Sequence, residues 1–244
     1  MRWPWQADAG LQTGLQCDRD RIMRAFKEIY AITAERKGGT AALEALLVPS
    51  KPFPDLATVP DDRFLAQMAK CIFNAGFNWK VVEAKWVGFE DAYHGFDLGR
   101  VAMMNDDDIA ELASDERIIR HGAKIRAVHE NALFLLQKKK DHGSVGSWIA
   151  NWPDEDFVGL LEVLNKEGSR LGGNTGQYFL RFMMRDGFIT SKDVVGRLIA
   201  EGVIDKQPTS KGAMQKVQQA FNTWRSESGR SFYEISRVLA MSTG

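Results

Sequence analysis

Apolar residues recur every three or four positions through most of this 244-residue chain, and this spacing limits the possible folds more than any other feature. Such spacing puts the apolar residues on one face of an α-helix, whereas a half-buried strand needs a period of two. Ile125, Val128, Ala132 and Leu135 form one such face, and no segment of useful length alternates with period two. The spacing therefore predicts an all-α fold.

Capping residues, glycines and prolines divide this pattern into helices. A loosely held arm is expected at 1–17, an extended proline-rich connection at 48–60 and a glycine-rich turn at 171–176. Helices are predicted at 18–37, 41–47, 61–75, 79–85, 88–93, 98–103, 106–113, 122–140, 145–151, 154–169 and 177–185, from 191 onward, and at 210–227 and 231–241.

The composition excludes several classes of protein. The formal net charge is zero, and the two cysteines, Cys17 and Cys71, form no CxxC pair, so a disulfide framework or a cysteine-rich zinc site is not expected. The N-terminus lacks the apolar stretch of a secretory signal, and no run of 18 apolar residues would span a membrane. We therefore expect a soluble, cytoplasmic protein that makes no membrane contact.

Three motifs follow one another at specific separations: AGFNW from Ala75 to Trp79, a segment from Phe89 to Ala102, and IIRHGAKI from Ile118 to Ile125. In order and spacing they resemble the A-G-L-S-W, F-x-x-F-D-x-x-x-V-A and I-I-R-x-x-x-K-I motifs of the DNA-3-methyladenine glycosylase I family. A looser match covers 157–200. The chain is thus identified as a divergent member of a family of helix-hairpin-helix glycosylases.

The resemblance implies two helical lobes around a base-binding cleft. It divides the chain into an N-terminal arm with helices at 1–60, a glycosylase-like domain at 61–200 with a hairpin at 169–178, and C-terminal helices at 201–244 that pack on this domain. It also implies a DNA-repair enzyme that flips an alkylated purine, such as 3-methyladenine, out of double-stranded DNA and hydrolyses its N-glycosidic bond. We expect a monomer that needs no cofactor.

The base-binding residues implied by the resemblance are Trp79, Phe77 and Cys71. Trp79 falls on the family's pocket tryptophan and would stack on the flipped base, although the same residue would also suit a core anchor between short helices. Cys71 replaces the family's base-reading glutamate, and a thiol does not accept hydrogen bonds as a carboxylate does. Alternatively, Cys71 is only a small buried apolar residue.

The segment SRLGGNTGQY, from Ser169 to Tyr178, resembles a helix-hairpin-helix turn in which Gly172 replaces the usual proline. Such a turn would present backbone N–H groups to a DNA phosphate. Its candidate DNA-binding residues are Gly172, Gly173, Asn174, Thr175 and Gly176. The alternative is a plain glycine-rich connection between two helices.

Asp193 is the predicted catalytic residue. Ser191 is expected to cap a helix, which puts Asp193 in the first helical turn, about one hairpin length after the glycine-rich segment. In many helix-hairpin-helix glycosylases a catalytic aspartate at this location stabilises the oxocarbenium-like sugar and orients a water. The alternative is that this carboxylate only complements the helix dipole.

Typical family members hold zinc, with Cys and His near the N-terminus and a His-x-x-x-Cys pair near the C-terminus. Here the latter stretch runs from Lys192 to Arg197, and the N-terminus has no such set, so no metal is expected. Two other functions remain open: a DNA-binding helix-hairpin-helix protein without excision activity, and a helical interaction protein without a nucleic-acid partner.

Overall fold

The computed structural model describes residues 23–49 and 53–243, and within these ranges it contains fourteen α-helices and no strand. The predicted all-α class is therefore confirmed. In chain order the helices are α1 Phe26–Arg36, α2 Thr40–Leu47, α3 Asp61–Asn74, α4 Trp79–Ala84, α5 Trp86–Ala92, α6 Leu98–Ala102, α7 Asp106–Ser114, α8 Gly122–His142, α9 Val145–Ala150, α10 Phe157–Glu167, α11 Asn174–Phe182, α12 Lys192–Ala200, α13 Lys211–Ser228 and α14 Phe232–Ser242.

Many of these helices begin at a residue whose side chain caps the first turn. Asn105 precedes α7, and its Oδ1 accepts hydrogen bonds from the backbone N–H groups of Asp107 at 2.8 Å and Asp108 at 3.1 Å. Ser191 caps α12 in the same way. Because these side chains satisfy N–H groups that have no partner within the helix, they locate the helix starts from local sequence alone.

Helices α3 to α9 form a first lobe. It is built around the long helix α8, which packs against α3, α6, α7 and α9. Its predicted inner face, Ile125, Val128, Ala132 and Leu135, is completely buried. Aromatic side chains of α5 and the segment that follows it extend this core, and Trp86 stacks on Phe96 with ring centroids 5.5 Å apart. The lobe holds the three motifs in one packed unit.

Helices α1, α12, α13 and α14 form a second lobe. It joins the two ends of the described chain, since α1 packs against α13 and α14. The buried carboxylate of Glu201, just after α12, accepts hydrogen bonds from Arg24 at 2.8 Å and Arg197 at 3.1 Å. These contacts fix α12 against the N-terminal segment. Helix α11 packs on α10 and also on α3 of the first lobe, so it connects the two lobes.

Some predicted boundaries are wrong. The glycine-rich turn ends at Gly173 rather than at 176, because Asn174, Thr175 and Gly176 already belong to α11. Ala75, predicted to lie on the apolar face of α3, is exposed because the helix ends at Asn74. The predicted arm at 1–17 lies outside the described residues. No described helix is long and apolar enough to cross a membrane.

Candidate functional site

The AGFNW motif forms an exposed turn between α3 and α4. Trp79 is 68% exposed and Phe77 is 47% exposed, which is unusual for large apolar side chains. Asn78 begins α4, since its Oδ1 accepts a hydrogen bond from the backbone N–H of Lys80 at 3.0 Å. The alternative that Trp79 is a core anchor is therefore wrong, and both rings are free to contact a ligand.

Lys124, from the IIRHGAKI motif, supports this turn through hydrogen bonds to its backbone. Its buried Nζ donates hydrogen bonds to the backbone carbonyls of Phe73 at 3.1 Å and Ala75 at 2.7 Å. It also lies 5.2 Å from the centre of the Phe77 ring. Burial and the nearby charge of Arg170 lower the pKa of the Lys124 ammonium. Lys124 belongs to one of the three motifs, but its residue type alone does not predict this supporting role.

Cys71 lies on α3, within the predicted base-binding region. Burial raises the pKa of the Cys71 thiol to about 11, so the group is neutral at physiological pH. The Nε2 of Gln67 donates a hydrogen bond to its Sγ at 3.4 Å. One turn further on, the Oδ1 of Asn74 is buried and has no hydrogen-bond partner among the residues that the structure describes. Helix α3 thus carries a neutral thiol rather than a carboxylate at position 71.

Glycines shape the hairpin between α10 and α11. Gly173 has φ 58° and ψ −134°, a backbone conformation that is essentially restricted to glycine. A Cβ atom on Gly176 would lie 2.6 Å from the carbonyl oxygen of Leu171, so a larger residue would force the loop apart. No side chain caps the start of α11, and Asn174 is exposed there. The N–H of Thr175 donates to the carbonyl oxygen of Gly172 at 3.3 Å and Gly176 is buried, so Asn174 is the exposed residue of this first turn.

A buried amide holds the hairpin on the first lobe. The Nδ2 of Asn131, on α8, donates to the backbone carbonyl of Ser169 at 2.9 Å, and the N–H of Ser169 donates to the Oδ1 of Asn131 at 2.8 Å. Asn131 is completely buried. This pair of hydrogen bonds fixes the start of the hairpin loop relative to the Lys124-supported turn, because both contacts originate from α8.

A second amide links the hairpin to α12. The backbone N–H of Thr190 donates to the Oε1 of Gln177 at 2.7 Å, and the Nε2 of Gln177 donates to the Oγ1 of Thr190 at 3.0 Å. Ser191 follows directly and caps α12, which confirms the prediction that Asp193 lies in its first turn. The Asp193 side chain is exposed, and its backbone carbonyl accepts a hydrogen bond from the Oγ1 of Thr243 at 3.0 Å.

The predicted aromatic and acidic groups belong to different lobes. Trp79 begins α4, which packs on α3 and α5, whereas Asp193 belongs to α12, which packs on α14. A cavity of about 580 Å³ beside the hairpin is lined by Gly173, Gln177 and Thr190 among others, but not by Trp79 or Asp193. It therefore stays a prediction that one nucleotide contacts both Trp79 and Asp193.

Among the described residues, no group of three or more His, Cys, Asp or Glu side chains is arranged to hold a metal ion. The candidate site consists of the exposed turn that carries Phe77 and Trp79, the hairpin loop and the exposed carboxylate of Asp193.

Comparison with known proteins bears on the first lobe. Residues 58–166 match the sequence model of the methyladenine glycosylase family. The resemblance to that family is confirmed. This matched range contains all three motifs and Asn131. It ends before the hairpin loop and Asp193.

Two relatives support this match. DNA-3-methyladenine glycosylase 1 of Escherichia coli is 37% identical over 67 residues, which cover 28% of this chain and 36% of that protein. The DNA-3-methyladenine glycosylase of Haemophilus influenzae is 35% identical over 91 residues, covering 37% of this chain and 46% of that protein. The chain thus spans less than half the length of each of these methyladenine glycosylases.

The fold similarity extends further than the sequence similarity. The crystal structure of the 8-oxoguanine DNA glycosylase of Methanocaldococcus jannaschii superposes with a TM-score of 0.51 at 14% identity, covering 87% of this chain and 90% of that chain. At this identity the similarity concerns the fold alone.

Proposed function

We propose that this protein is a DNA glycosylase that hydrolyses the N-glycosidic bond of an alkylated purine flipped out of double-stranded DNA. The observation that carries the proposal is the exposed turn of Phe77 and Trp79, which lies within the methyladenine glycosylase match and is supported by the buried ammonium of Lys124. An enzyme that acts on a base must take it out of the stack and bind its faces, and exposed aromatic rings supply such faces.

The hairpin supports binding to the DNA backbone. Gly173 has open space where a side chain would stand, and the N-terminus of α11, which no side chain caps, presents a positive dipole end. Asn131 and Gln177 hold this loop from both sides. We propose that Gly172, Gly173, Asn174 and Thr175 contact one phosphate beside the flipped nucleotide. Gly176, also predicted to bind DNA, is buried against the carbonyl of Leu171, so we propose that it only allows the loop to pack closely.

Asp193 is the proposed catalytic residue. As the base departs, positive charge develops on the deoxyribose, and a carboxylate beside the sugar stabilises that charge and orients the attacking water. Ser191 fixes the backbone of this first turn, while the exposed side chain of Asp193 is free to reach a bound nucleotide. Because the loop 168–173 contains no lysine, water rather than an amine is the proposed nucleophile.

The test is release of free base from double-stranded DNA that has been treated with a methylating agent, followed by chromatography. Wild-type protein is expected to release an alkylated purine, and Asp193→Asn, which removes the charge but keeps the shape, should slow release at least about 100-fold. Asp107→Asn is the matched control, because Asp107 is also an exposed first-turn aspartate, on α7. It should leave the rate unchanged. Full activity of Asp193→Asn would refute the catalytic role.

A second function is favoured by one specific observation, the neutral thiol of Cys71 at the position of the family's glutamate. On this proposal the protein binds DNA without excising a base. It predicts DNA affinity that falls as salt rises, with no base released by the wild-type protein from any methylated substrate. The same chromatography therefore separates the two functions.

A further inference from the structure

Helix α8 lies against the start of the hairpin loop through one of its faces. This face carries three polar side chains at intervals of seven residues, namely Lys124, Asn131 and Lys138. The Nζ of Lys138 forms an ion pair with the Oε2 of Glu167 at 2.7 Å, and Asn131 is hydrogen-bonded to the backbone of Ser169. The segment from Glu167 to Ser169 therefore runs along α8 toward its N-terminal end, where Lys124 is located.

Arg170 is the next residue along this path. Its side chain is exposed, and its charge is near enough to Lys124 to lower the pKa of the Lys124 ammonium. Lys124 in turn donates a hydrogen bond to the carbonyl of Ala75, the first residue of the AGFNW motif. Arg170 therefore lies on the side of the hairpin loop that faces the exposed turn.

The backbone of Arg170 has an unfavourable conformation. Its φ is 58°, in the left-handed region that residues other than glycine, asparagine and aspartate rarely adopt. Strained positions of this kind cluster at sites where the side chain is needed for binding or catalysis. Because glycine would occupy the same position without strain, the arginine indicates a use for its guanidinium group.

The positive charges of Arg170 and Lys124 have no counter-charge beside them. Within residues 23–49 and 53–243, no carboxylate lies within ion-pair distance of either side chain, and the guanidinium of Arg170 has no hydrogen-bond partner. Two neighbouring cations repel each other, and an anion beside Arg170 offsets this repulsion. A guanidinium also suits a phosphate, since two of its N–H groups can donate to two phosphate oxygens at once.

We propose that the side chain of Arg170 binds a DNA phosphate between the hairpin loop and the exposed turn that carries Phe77 and Trp79. This inference rests on the proposed binding of the protein to DNA. The phosphate is a second one, distinct from that assigned to residues 172–175, because the buried side chain of Leu171 separates Arg170 from the glycines of the loop. Two such contacts on one strand hold the DNA backbone on both sides of the flipped nucleotide.

The experiment measures DNA binding and stability on the same variants. Fluorescence anisotropy gives the affinity for double-stranded DNA over a series of salt concentrations, and urea unfolding gives the midpoint. Arg170→Asn removes the charge and tolerates the left-handed conformation. It should weaken binding about fivefold and make the slope of log affinity against log salt shallower by about 0.9, while its urea midpoint equals or exceeds that of wild type. Arg170→Lys keeps the charge and should keep the slope. Arg36→Gln, which removes an exposed arginine from α1, is the control and should change neither quantity.

The outcomes separate this inference from the proposed function. If wild-type protein binds DNA and Arg170→Asn has the same affinity and salt slope, the role of Arg170 is refuted while binding to DNA stands. A lower urea midpoint with an unchanged slope also refutes it, since Arg170 would then serve only the fold. If wild-type protein does not bind double-stranded DNA even at low salt, the proposed function fails, and this inference fails with it.

Discussion

Substitution of Asn131 by leucine tests how the hairpin is held on the first lobe. The side chains are similar in size, so the change removes the amide without opening a large cavity. It breaks the two hydrogen bonds between Asn131 and the backbone of Ser169, at 2.9 Å and 2.8 Å. The N–H and carbonyl of Ser169 then lose their partners beside a buried apolar side chain.

The expected cost follows from these two groups. A neutral hydrogen bond contributes about 1 kcal/mol net, but a buried group left unpaired costs about 1–3 kcal/mol. Ser169 is half-buried, so water can reach part of its backbone and the lower part of that range applies. We expect Asn131→Leu to lower the free energy of unfolding by about 2–4 kcal/mol for the two groups together.

Urea unfolding followed by circular dichroism measures this change, and fluorescence anisotropy with double-stranded DNA measures its effect on binding. Gln137→Leu is the control, since Gln137 lies on the same helix and its amide makes only an exposed hydrogen bond to Asp141 within the described residues. It should change the unfolding free energy by less than about 0.5 kcal/mol. For Asn131→Leu, DNA affinity should fall under conditions where the protein is still folded, because the loop is no longer fixed.

Two results would contradict this reasoning. An unfolding free energy within about 0.5 kcal/mol of wild type would mean that the Ser169 backbone finds other partners. A destabilised protein with unchanged DNA affinity would mean that the hairpin loop is not the DNA-contacting surface, whatever its role in the fold.

The remaining predictions concern Gly173 and Cys71. Gly173→Ala should cost about 1–3 kcal/mol of stability because its backbone conformation excludes a Cβ atom, whereas Gly212→Ala, in the open first turn of α13, should be neutral or slightly stabilising in the same urea assay. The raised pKa of Cys71 means that the folded state holds its proton more tightly than the unfolded state. Wild type should therefore lose up to about 3 kcal/mol relative to Cys71→Ala as pH rises from 9 to 11, and parallel stability curves would refute this.

Local sequence determined most of the helices. The apolar spacing of α8 places four residues on one face, and any compact fold must bury such a face, so helix and core were predicted together. Ser191 located the start of α12 because a serine cap bonds to its own helix and needs no distant partner. The three motifs pointed to the family for a similar reason, since their order and spacing are properties of the chain itself.

The division of the chain at residues 60 and 200 stays a prediction, as do the roles of Asp193, Trp79, Phe77, Cys71 and the hairpin residues. The start of α11 was placed too late because the glycine-rich segment was taken as one turn. Only Gly173 has the unusual backbone conformation there, and the three residues after it continue into the helix.

Sequence by itself thus determined the helical class, most helix starts and the resemblance of residues 58–166 to the methyladenine glycosylase family, because these depend on residues that are near neighbours in the chain. The tertiary structure decided that Trp79 is exposed, that Lys124 supports its turn and that Asn131 holds the hairpin. Each of these depends on groups separated by tens of residues, and burial or pairing at that range arises only when the helices pack.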